Sequence, residues 1–136
     1  MTVHGLVDTG AILALLDRND EWHGRCMEAF ATLRLPLGTS GAVFAELFHL
    51  LAPHEQAAAW TFLRSGAVST LPIGDEDLSD IEALMKKYRD RPMDFADATL
   101  VRLARREKVK TVFSVDDDFL IYRVEGRQRF LVFPPR

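Results

Sequence analysis

Short apolar runs of strand length alternate with helical patterns along the chain. Strands are predicted where apolar residues run without polar alternation, and helices where they recur every three or four positions. The predicted strands are 3–7, 35–39, 68–73, 111–115 and 130–133; the predicted helices are 10–16, 21–33, 41–51, 53–64, 75–88 and 93–107, with a turn or short helix at 116–122. The alternation predicts an α/β fold with a parallel sheet, helices on both faces and right-handed crossovers.

Capping residues support several of these helix starts. Asn19 or Asp20 is expected to cap the second helix, and Ser40 the third. Pro53 suits the first turn of the fourth helix, where a missing N–H costs nothing. These capping residues set the predicted helix boundaries, which decide where the acidic residues of each helix lie.

Composition predicts one globular domain spanning residues 1–136. The chain has 136 residues, of which 48% are hydrophobic and 27% charged, and this balance is enough to bury a sizeable core. The single cysteine, Cys26, excludes an internal disulfide and a cysteine-based zinc site. The first residues lack a signal-peptide pattern, and no apolar run approaches the ~20 residues that span a bilayer. A cytoplasmic location with no membrane partner is therefore expected.

The net charge of −3 limits the ways in which this chain can bind nucleic acid. A dedicated duplex-binding module is usually strongly basic, so that class of protein is disfavoured. An enzyme that holds phosphate through metal ions stays compatible with an acidic chain.

Two predicted strands end directly at an acid. Val7 leads to Asp8, and Val115 leads to Asp116. Parallel α/β folds place ligands beyond the carboxyl ends of their strands, so both acids are candidate site residues. The alternative for each is a cap on the helix that follows.

Glu46 falls within the apolar stripe of its predicted helix. It lies three residues after Val43 and four before Leu50, so its carboxylate starts on the inward face. A buried carboxylate needs a partner, a shifted pKa or a metal, because burying it alone is costly. The alternative is a glutamate at the edge of the stripe that reaches solvent.

The helix after Pro92 has acids in its first turn. Asp94 and Asp97 are three residues apart and therefore share a face, and Asp97 lies below Leu100 and Val101 of the apolar stripe. Asp94 also suits the capping position, whereas Asp97 points where core residues point. We therefore expect Asp97 to enter the site.

These acids are expected to meet at one edge of the sheet, since helix entrances follow strand carboxyl ends in this architecture. Clustered carboxylates raise one another's pKa unless a cation offsets them. An oxygen-only cluster suits Mg²⁺ or Mn²⁺, whereas zinc usually brings histidine or cysteine. The pattern therefore indicates a site for a hard divalent cation.

Four acidic motifs occur in order along the chain, at 8–11 (Asp-Thr-Gly-Ala), 39–47 (Thr-Ser, then Ala-Glu-Leu), 92–98 (Pro-Met-Asp-Phe-Ala-Asp-Ala) and 114–119 (Ser-Val-Asp-Asp-Asp-Phe). In this order they resemble the motifs of PIN-domain ribonucleases. Tyr122-Arg123 and residues 131–134 continue the pattern of VapC-like toxins of type II toxin–antitoxin systems. The resemblance covers essentially the whole chain.

The resemblance implies a single PIN-like domain with a five-stranded parallel sheet in the order 3-2-1-4-5, and a Mg²⁺-dependent endoribonuclease in which Mn²⁺ is a possible substitute. The implied catalytic and metal-binding residues are Asp8, Glu46, Asp97 and Asp116. The implied auxiliary residues are Thr9, Asp94, Ser114 and Asp118, of which Thr9 and Ser114 would orient a carboxylate or a water. The implied partners are an RNA substrate, a cognate antitoxin and a second copy of the chain.

Two positions depart from the family pattern. Gly10 stands where serine or alanine is common, and Asp117 stands where many relatives carry a basic residue. The change at Asp117 is expected to weaken contact with RNA, or to leave the assignment between Asp116 and Asp118 open.

Basic and aromatic residues supply further candidate contacts. The basic candidates for steering RNA are Arg102, Arg105, Arg106, Lys108, Lys110, Arg123, Arg127 and Arg129, with solvated helix faces as the favoured alternative for most of them. Phe48 and Trp60 are candidates for a protein interface, with core packing as the default interpretation.

Other classes of protein fit the sequence less well. A receiver domain needs an aspartate after its third strand, but none occurs between Glu21 and Gly74; a dehalogenase-like phosphatase needs Asp-x-Asp, but residue 10 is glycine. No glycine-rich phosphate loop is present. Two alternatives remain: a catalytically silent PIN-like protein that binds RNA or protein, and a nuclease that acts on DNA.

Overall fold

The computed structural model describes residues 2–136 and contains the predicted five-stranded parallel sheet. The strands are Leu6–Val7 (β1), Leu37–Thr39 (β2), Val68–Thr70 (β3), Thr111–Phe113 (β4) and Leu131–Phe133 (β5). Their order in the sheet is β3-β2-β1-β4-β5, which confirms the topology that the resemblance implied. Each strand is shorter than its apolar run, because the ladder of hydrogen bonds covers only part of that run.

Within the described residues 2–136, six α-helices flank the sheet: Thr9–Leu16 (α1), His23–Thr32 (α2), Gly41–Leu50 (α3), Gln56–Leu63 (α4), Leu78–Lys87 (α5) and Phe95–Glu107 (α6). The helices predicted to start at residues 53 and 75 begin instead as 3₁₀ turns, Pro53–Glu55 and Asp75–Asp77. A third 3₁₀ turn, Asp117–Leu120, confirms the turn or short helix predicted within 116–122.

The caps of two helices test the capping predictions. The Ser40 hydroxyl accepts a hydrogen bond from the Val43 N–H, as predicted for α3. The predicted cap of α2 is wrong, because this helix starts at His23 with Trp22 before it and no side-chain cap. Asp20 accepts from the Trp22 N–H at 2.8 Å, and so closes the turn that precedes the helix.

The core surrounds β1, whose two residues Leu6 and Val7 are fully buried between β2 and β4. Burial on both faces explains why this strand has no polar alternation. Trp60 is 51% exposed and stacks on Phe48 with ring centroids 4.8 Å apart, so its predicted core packing is wrong. No helix of the described residues 2–136 is long and apolar enough to cross a membrane.

The arginines of α6 are bound to acids of the protein itself. Arg102 and Arg106 donate to the two oxygens of Asp77, at 2.7 and 2.9 Å, and that carboxylate is fully buried. Arg105 donates to Asp80 at 2.8 Å. The solvated-face interpretation is therefore wrong for these three arginines, which join α6 to α5 and to the 3₁₀ turn before it, and their positive charges are largely offset by these acids.

The glycine at position 10, where the family commonly has serine or alanine, has a steric reason. A Cβ built at Gly10 would lie 2.6 Å from Cγ2 of Val115, closer than carbon atoms approach in proteins. Since Val115 directly precedes Asp116, the glycine lets α1 pack against the segment that carries this acid.

Gly10→Ala is expected to lower the free energy of unfolding by about 1–2 kcal/mol, because the added methyl group overpacks this contact. Gly24→Ala is the matched control, since Gly24 also lies in a helix but has no atom near its built Cβ. It should stabilise by roughly 0.5–1 kcal/mol through helix propensity. Urea unfolding measures both, and a stabilised Gly10→Ala would refute the close contact.

Candidate active site

Three acids converge at the carboxyl edge of the sheet. Asp8 directly follows β1, Asp116 follows β4 by three residues, and Asp97 lies in the first turn of α6. Each offers a carboxylate oxygen, and these oxygens all lie within 4.8 Å of one another. The cluster forms because β1 and β4 are adjacent parallel strands that end at the same edge.

The Asp8 carboxylate is both a helix cap and a member of the cluster. Its Oδ1 accepts from the Thr9 N–H at 2.8 Å, at the start of α1. Its Oδ2 accepts from the Ser114 hydroxyl at 3.2 Å, and Ser114 in turn accepts from the Asp116 N–H at 3.0 Å. The sequence analysis treated a helix cap and a site residue as alternatives for Asp8. In the structure Asp8 caps α1 and also belongs to the acidic cluster.

Asp97 and Asp116 are held by different partners. Asp97 is buried, and its Oδ2 accepts from the hydroxyl of Tyr122 at 3.2 Å. Asp116 accepts at Oδ1 from the Asp118 N–H at 2.9 Å, and so caps the 3₁₀ turn. The first turn of α6 is fixed by its cap Asp94, which accepts from the Asp97 N–H at 2.8 Å.

Burial and mutual repulsion make these acids hard to ionise. Burial raises the pKa of Asp8 to about 7, with the charges of Glu46 and Asp116 acting in the same direction. Burial also raises the pKa of Asp97 to about 8, and its acidic neighbours add to this. The pKa of Asp116 is raised as well, mainly by burial. The cluster therefore needs protons or a cation to offset its charge.

The donor set fits a hard divalent cation. The three side chains supply carboxylate oxygens only, the ligands that Mg²⁺ and Mn²⁺ prefer. The 4.8 Å spread allows one ion to contact all three after small rotations, since metal–oxygen bonds of Mg²⁺ are about 2.1 Å long. Asp8, Asp97 and Asp116 are therefore the residues able to hold the ion.

Glu46 lies at the border of the site. The inward stripe of α3 consists of Val43 and Leu47, whereas Leu50 is 57% exposed, so the predicted stripe is wrong at its last member. Glu46 is half-buried, and its charge raises the pKa of Asp8. Its position at the edge matches the solvent-reaching alternative, and its catalytic and metal-binding roles stay predictions.

The predicted auxiliary residues are placed differently from one another. Ser114 bonds Asp8, and the Thr9 hydroxyl lies 3.5 Å from the Val43 carbonyl, facing α3. Asp94 is an exposed cap, and Asp118 pairs with Arg91 at 3.2 Å. Of these four, only Ser114 donates from its side chain to a carboxylate of the cluster, whereas the Asp94 side chain accepts from the main chain of Asp97. The auxiliary roles of all four stay predictions.

Sequence reasoning missed two polar contacts beside the site. The VapC-like pattern includes Tyr122 but implies no role for it, although its hydroxyl donates to Asp97. Ser40 was predicted as a cap, but its hydroxyl also lies 2.8 Å from that of Thr99, which ties α3 to α6 in a fully buried contact. The available signal for Thr99 was a hydroxyl in the apolar stripe of α6.

Asp117, the second departure from the family pattern, has a partner within the chain. It is exposed, and its Oδ1 accepts from Arg136 Nε at 2.8 Å. Arg136 also donates to the Ser114 carbonyl at 2.9 Å. Asp116 is the aspartate of this run that joins the cluster, since Asp117 pairs with Arg136 and Asp118 with Arg91.

Comparisons with known proteins agree with this geometry. A family model for the PIN domain matches residues 5–125. Ribonuclease VapC26 of Mycobacterium tuberculosis (strain ATCC 25618 / H37Rv) is 30% identical over 134 residues, which cover 95% of this chain and 99% of that protein.

Solved structures share the fold. The crystal structure of Mycobacterium tuberculosis VapC20, described as a sarcin-ricin loop cleaving toxin, matches with a TM-score of 0.76 and 22% identity, over 84% of this chain and 91% of that one. FitAcB from Neisseria gonorrhoeae matches with a TM-score of 0.59 and 21% identity, over 83% of this chain and 88% of that one.

The sheet order and the acidic edge site are those of a PIN-type protein. The chain belongs to the PIN-domain family. Within it the chain is VapC-like over nearly its whole length, which confirms the resemblance drawn from the four motifs.

Metal-free protein is expected to lose stability as the pH rises from about 4 to about 8, because Asp97 has a pKa of about 8 when folded and an ordinary one when unfolded. Over that interval the folded state binds more protons than the unfolded state. Asp97→Asn removes one such group, so at pH 8 it should be several kcal/mol more stable than wild type in EDTA, since each pH unit between the two pKa values corresponds to about 1.4 kcal/mol.

Urea unfolding in EDTA at pH 5 and pH 8 measures this difference, which should be about 4 kcal/mol smaller at pH 5 because three pH units of the window lie between the two conditions. Excess Mg²⁺ should stabilise the wild type more than the variant, because binding to the folded state alone adds stability. Parallel loss of stability in both proteins between the two pH values would contradict the raised pKa of Asp97.

Proposed function

We propose that this protein is a Mg²⁺-dependent endoribonuclease that hydrolyses RNA phosphodiester bonds, with Mn²⁺ as a working substitute. The observation that carries the proposal is the convergence of Asp8, Asp97 and Asp116, whose oxygens lie within 4.8 Å at the carboxyl edge of the sheet. The 30% identity to Ribonuclease VapC26 over nearly the whole chain supports RNA as the substrate.

We assign the residues of the site different roles. Asp8, Asp97 and Asp116 would hold the ion, and Glu46 adds negative charge from α3 beside Asp8. The chemistry that such an ion would supply is Lewis-acid activation of a water and an offset of charge on the phosphate. Ser114 keeps the Asp8 carboxylate turned towards the cluster through its hydrogen bond to Oδ2.

The proposed biological role of this protein is based on its similarity to VapC toxins. We propose that the chain is the toxin of a toxin–antitoxin pair, that a cognate antitoxin and a second copy of the chain are its protein partners, and that it acts in the cytoplasm. The relationship to VapC26 and the fold shared with VapC20 support this proposal.

The substrate class is tested with matched RNA and DNA strands, both single-stranded and structured, in Mg²⁺, in Mn²⁺ and in EDTA. We expect cleavage of RNA within the strand, only when metal is present, and little cleavage of DNA. Cleavage of DNA in preference to RNA would replace the proposed substrate. A folded protein that binds RNA and metal but cleaves neither strand would establish the catalytically silent alternative.

A further inference from the structure

We propose that Tyr122 is a positioning residue of the metal site, which holds the carboxylate of Asp97 in the orientation that binds the ion. This inference deepens the proposed function and rests on it for the catalytic consequence. The hydroxyl of Tyr122 donates to Asp97 Oδ2 at 3.2 Å, and both side chains are buried.

Asp97 needs such a partner because its neighbours repel it. The oxygens of Asp8 and Asp116 lie within 4.8 Å, so an unrestrained carboxylate would turn away from them before the ion arrives. The main chain of Asp97 is fixed by the Asp94 cap. Rotation of the carboxylate is the freedom that remains, and the Tyr122 hydroxyl restrains it without adding a charge.

Tyr122 is itself rigidly placed. Its ring packs edge-on against Phe119 and Tyr88, with centroids 5.3 and 4.9 Å away. Its main-chain N–H donates to the Asp118 carbonyl at 3.0 Å. A buried, packed ring gives the hydroxyl little room to move, which is the requirement for a group that orients a ligand.

Tyr122 also links, through hydrogen bonds, the chain segments that carry two of the three acids, Asp97 and Asp116. Its main chain is bonded to Asp118, whose own N–H donates to Asp116 Oδ1 at 2.9 Å. Its side chain reaches Asp97 on α6. One residue therefore connects the segment that carries Asp116 to the helix that carries Asp97, and sets the spacing between these two carboxylates.

Tyr122→Phe removes the hydroxyl and keeps the ring, and Tyr88→Phe is the matched control. Tyr88 is the other tyrosine of the chain, packs on Tyr122, and uses its hydroxyl to accept from the Arg123 N–H at 3.1 Å. Each variant therefore loses one hydroxyl and one hydrogen bond from the same aromatic cluster. Only Tyr122→Phe loses a bond to a cluster acid.

Calorimetric titration with Mn²⁺ alone, without RNA, is the primary measurement. Tyr122→Phe should bind Mn²⁺ about tenfold more weakly than wild type, the effect expected when a ligand loses its supporting hydrogen bond, and Tyr88→Phe less than about twofold more weakly. In RNA cleavage, Tyr122→Phe should need more Mg²⁺ for half-maximal kcat, with the KM for RNA nearly unchanged.

Equal Mn²⁺ affinity in Tyr122→Phe and wild type would overturn the proposal, and so would equal weakening in both variants, which would indicate general loss of packing. Weaker Mn²⁺ binding by Tyr122→Phe alone supports it, even if the wild type cleaves no RNA and the proposed function fails. A wild type that binds no Mn²⁺ would overturn both.

Discussion

Asp97→Asn is expected to reduce RNA cleavage by about a thousandfold while leaving the fold intact. A bound ion contributes several kcal/mol of charge stabilisation to phosphoryl chemistry, and each 1.4 kcal/mol corresponds to a tenfold change in rate. Asparagine keeps the size of the side chain and can still accept from the Tyr122 hydroxyl, but it removes one of the three carboxylates that hold the ion.

The measurement compares cleavage rates at equal protein concentration in excess Mg²⁺, with Asp75→Asn as the control. Asp75 is an exposed aspartate at the start of a 3₁₀ turn, so the control repeats the chemical change away from the cluster. It should retain wild-type activity. Full activity of Asp97→Asn would show that Asp97 is dispensable and that the acidic cluster is not the site of cleavage.

Asp77→Ala is expected to lower the free energy of unfolding by about 3–5 kcal/mol. The Asp77 carboxylate is fully buried and accepts from Arg102, Arg106 and the Gly74 N–H. Removing it leaves two partly buried guanidinium groups facing each other without their shared anion. These contacts lower the pKa of Asp77, so its contribution is present above the ordinary pKa of an aspartate and lost as the pH falls through the lowered value.

Urea unfolding at pH 7 measures this loss, with Glu82→Ala as the control. Glu82 also forms an ion pair on α5, with Lys86 at 3.7 Å, but both side chains are more than 70% exposed. Exposed helix pairs contribute about 0.3–0.5 kcal/mol, so the control should be nearly neutral. Equal effects from the two substitutions would mean that burial of the ion pairs between Asp77 and the two arginines adds nothing to their contribution to the free energy of unfolding.

The sequence predicted the acids at strand ends well, because position along a parallel strand decides which sheet edge a residue occupies. Asp8 needed only the strand boundary, and Asp97 only the helical spacing to Leu100. The predicted boundary before Asp116 was wrong, because β4 ends at Phe113 and Asp116 lies three residues beyond it at the same edge. The same spacing argument was less successful for Glu46. Its helix ends at Leu50, and that last residue projects into solvent, so the stripe that defined the inward face was one residue too long.

Contacts between side chains distant in sequence could not be predicted in the same way. Tyr122 lies 25 positions from Asp97. Its ring belongs to an aromatic cluster with Phe119 and Phe130, and an aromatic residue in such a cluster is expected to be a core residue because only its hydroxyl is polar. The pairing of Asp77 with arginines of α6 likewise depends on how two helices pack, which hydrophobic periodicity does not specify.

Metal add-back on the wild-type protein tests whether the three-carboxylate cluster is a metal-dependent RNA cleavage site. Protein stripped with EDTA is assayed on a single-stranded RNA panel, then titrated with Mg²⁺, while Mn²⁺ binding is followed on the same preparation. We expect no cleavage without metal, and recovery of cleavage that follows occupancy of one site formed by Asp8, Asp97 and Asp116. Undiminished cleavage in EDTA, or metal binding that survives Asp8→Asn and Asp97→Asn unchanged, would contradict it.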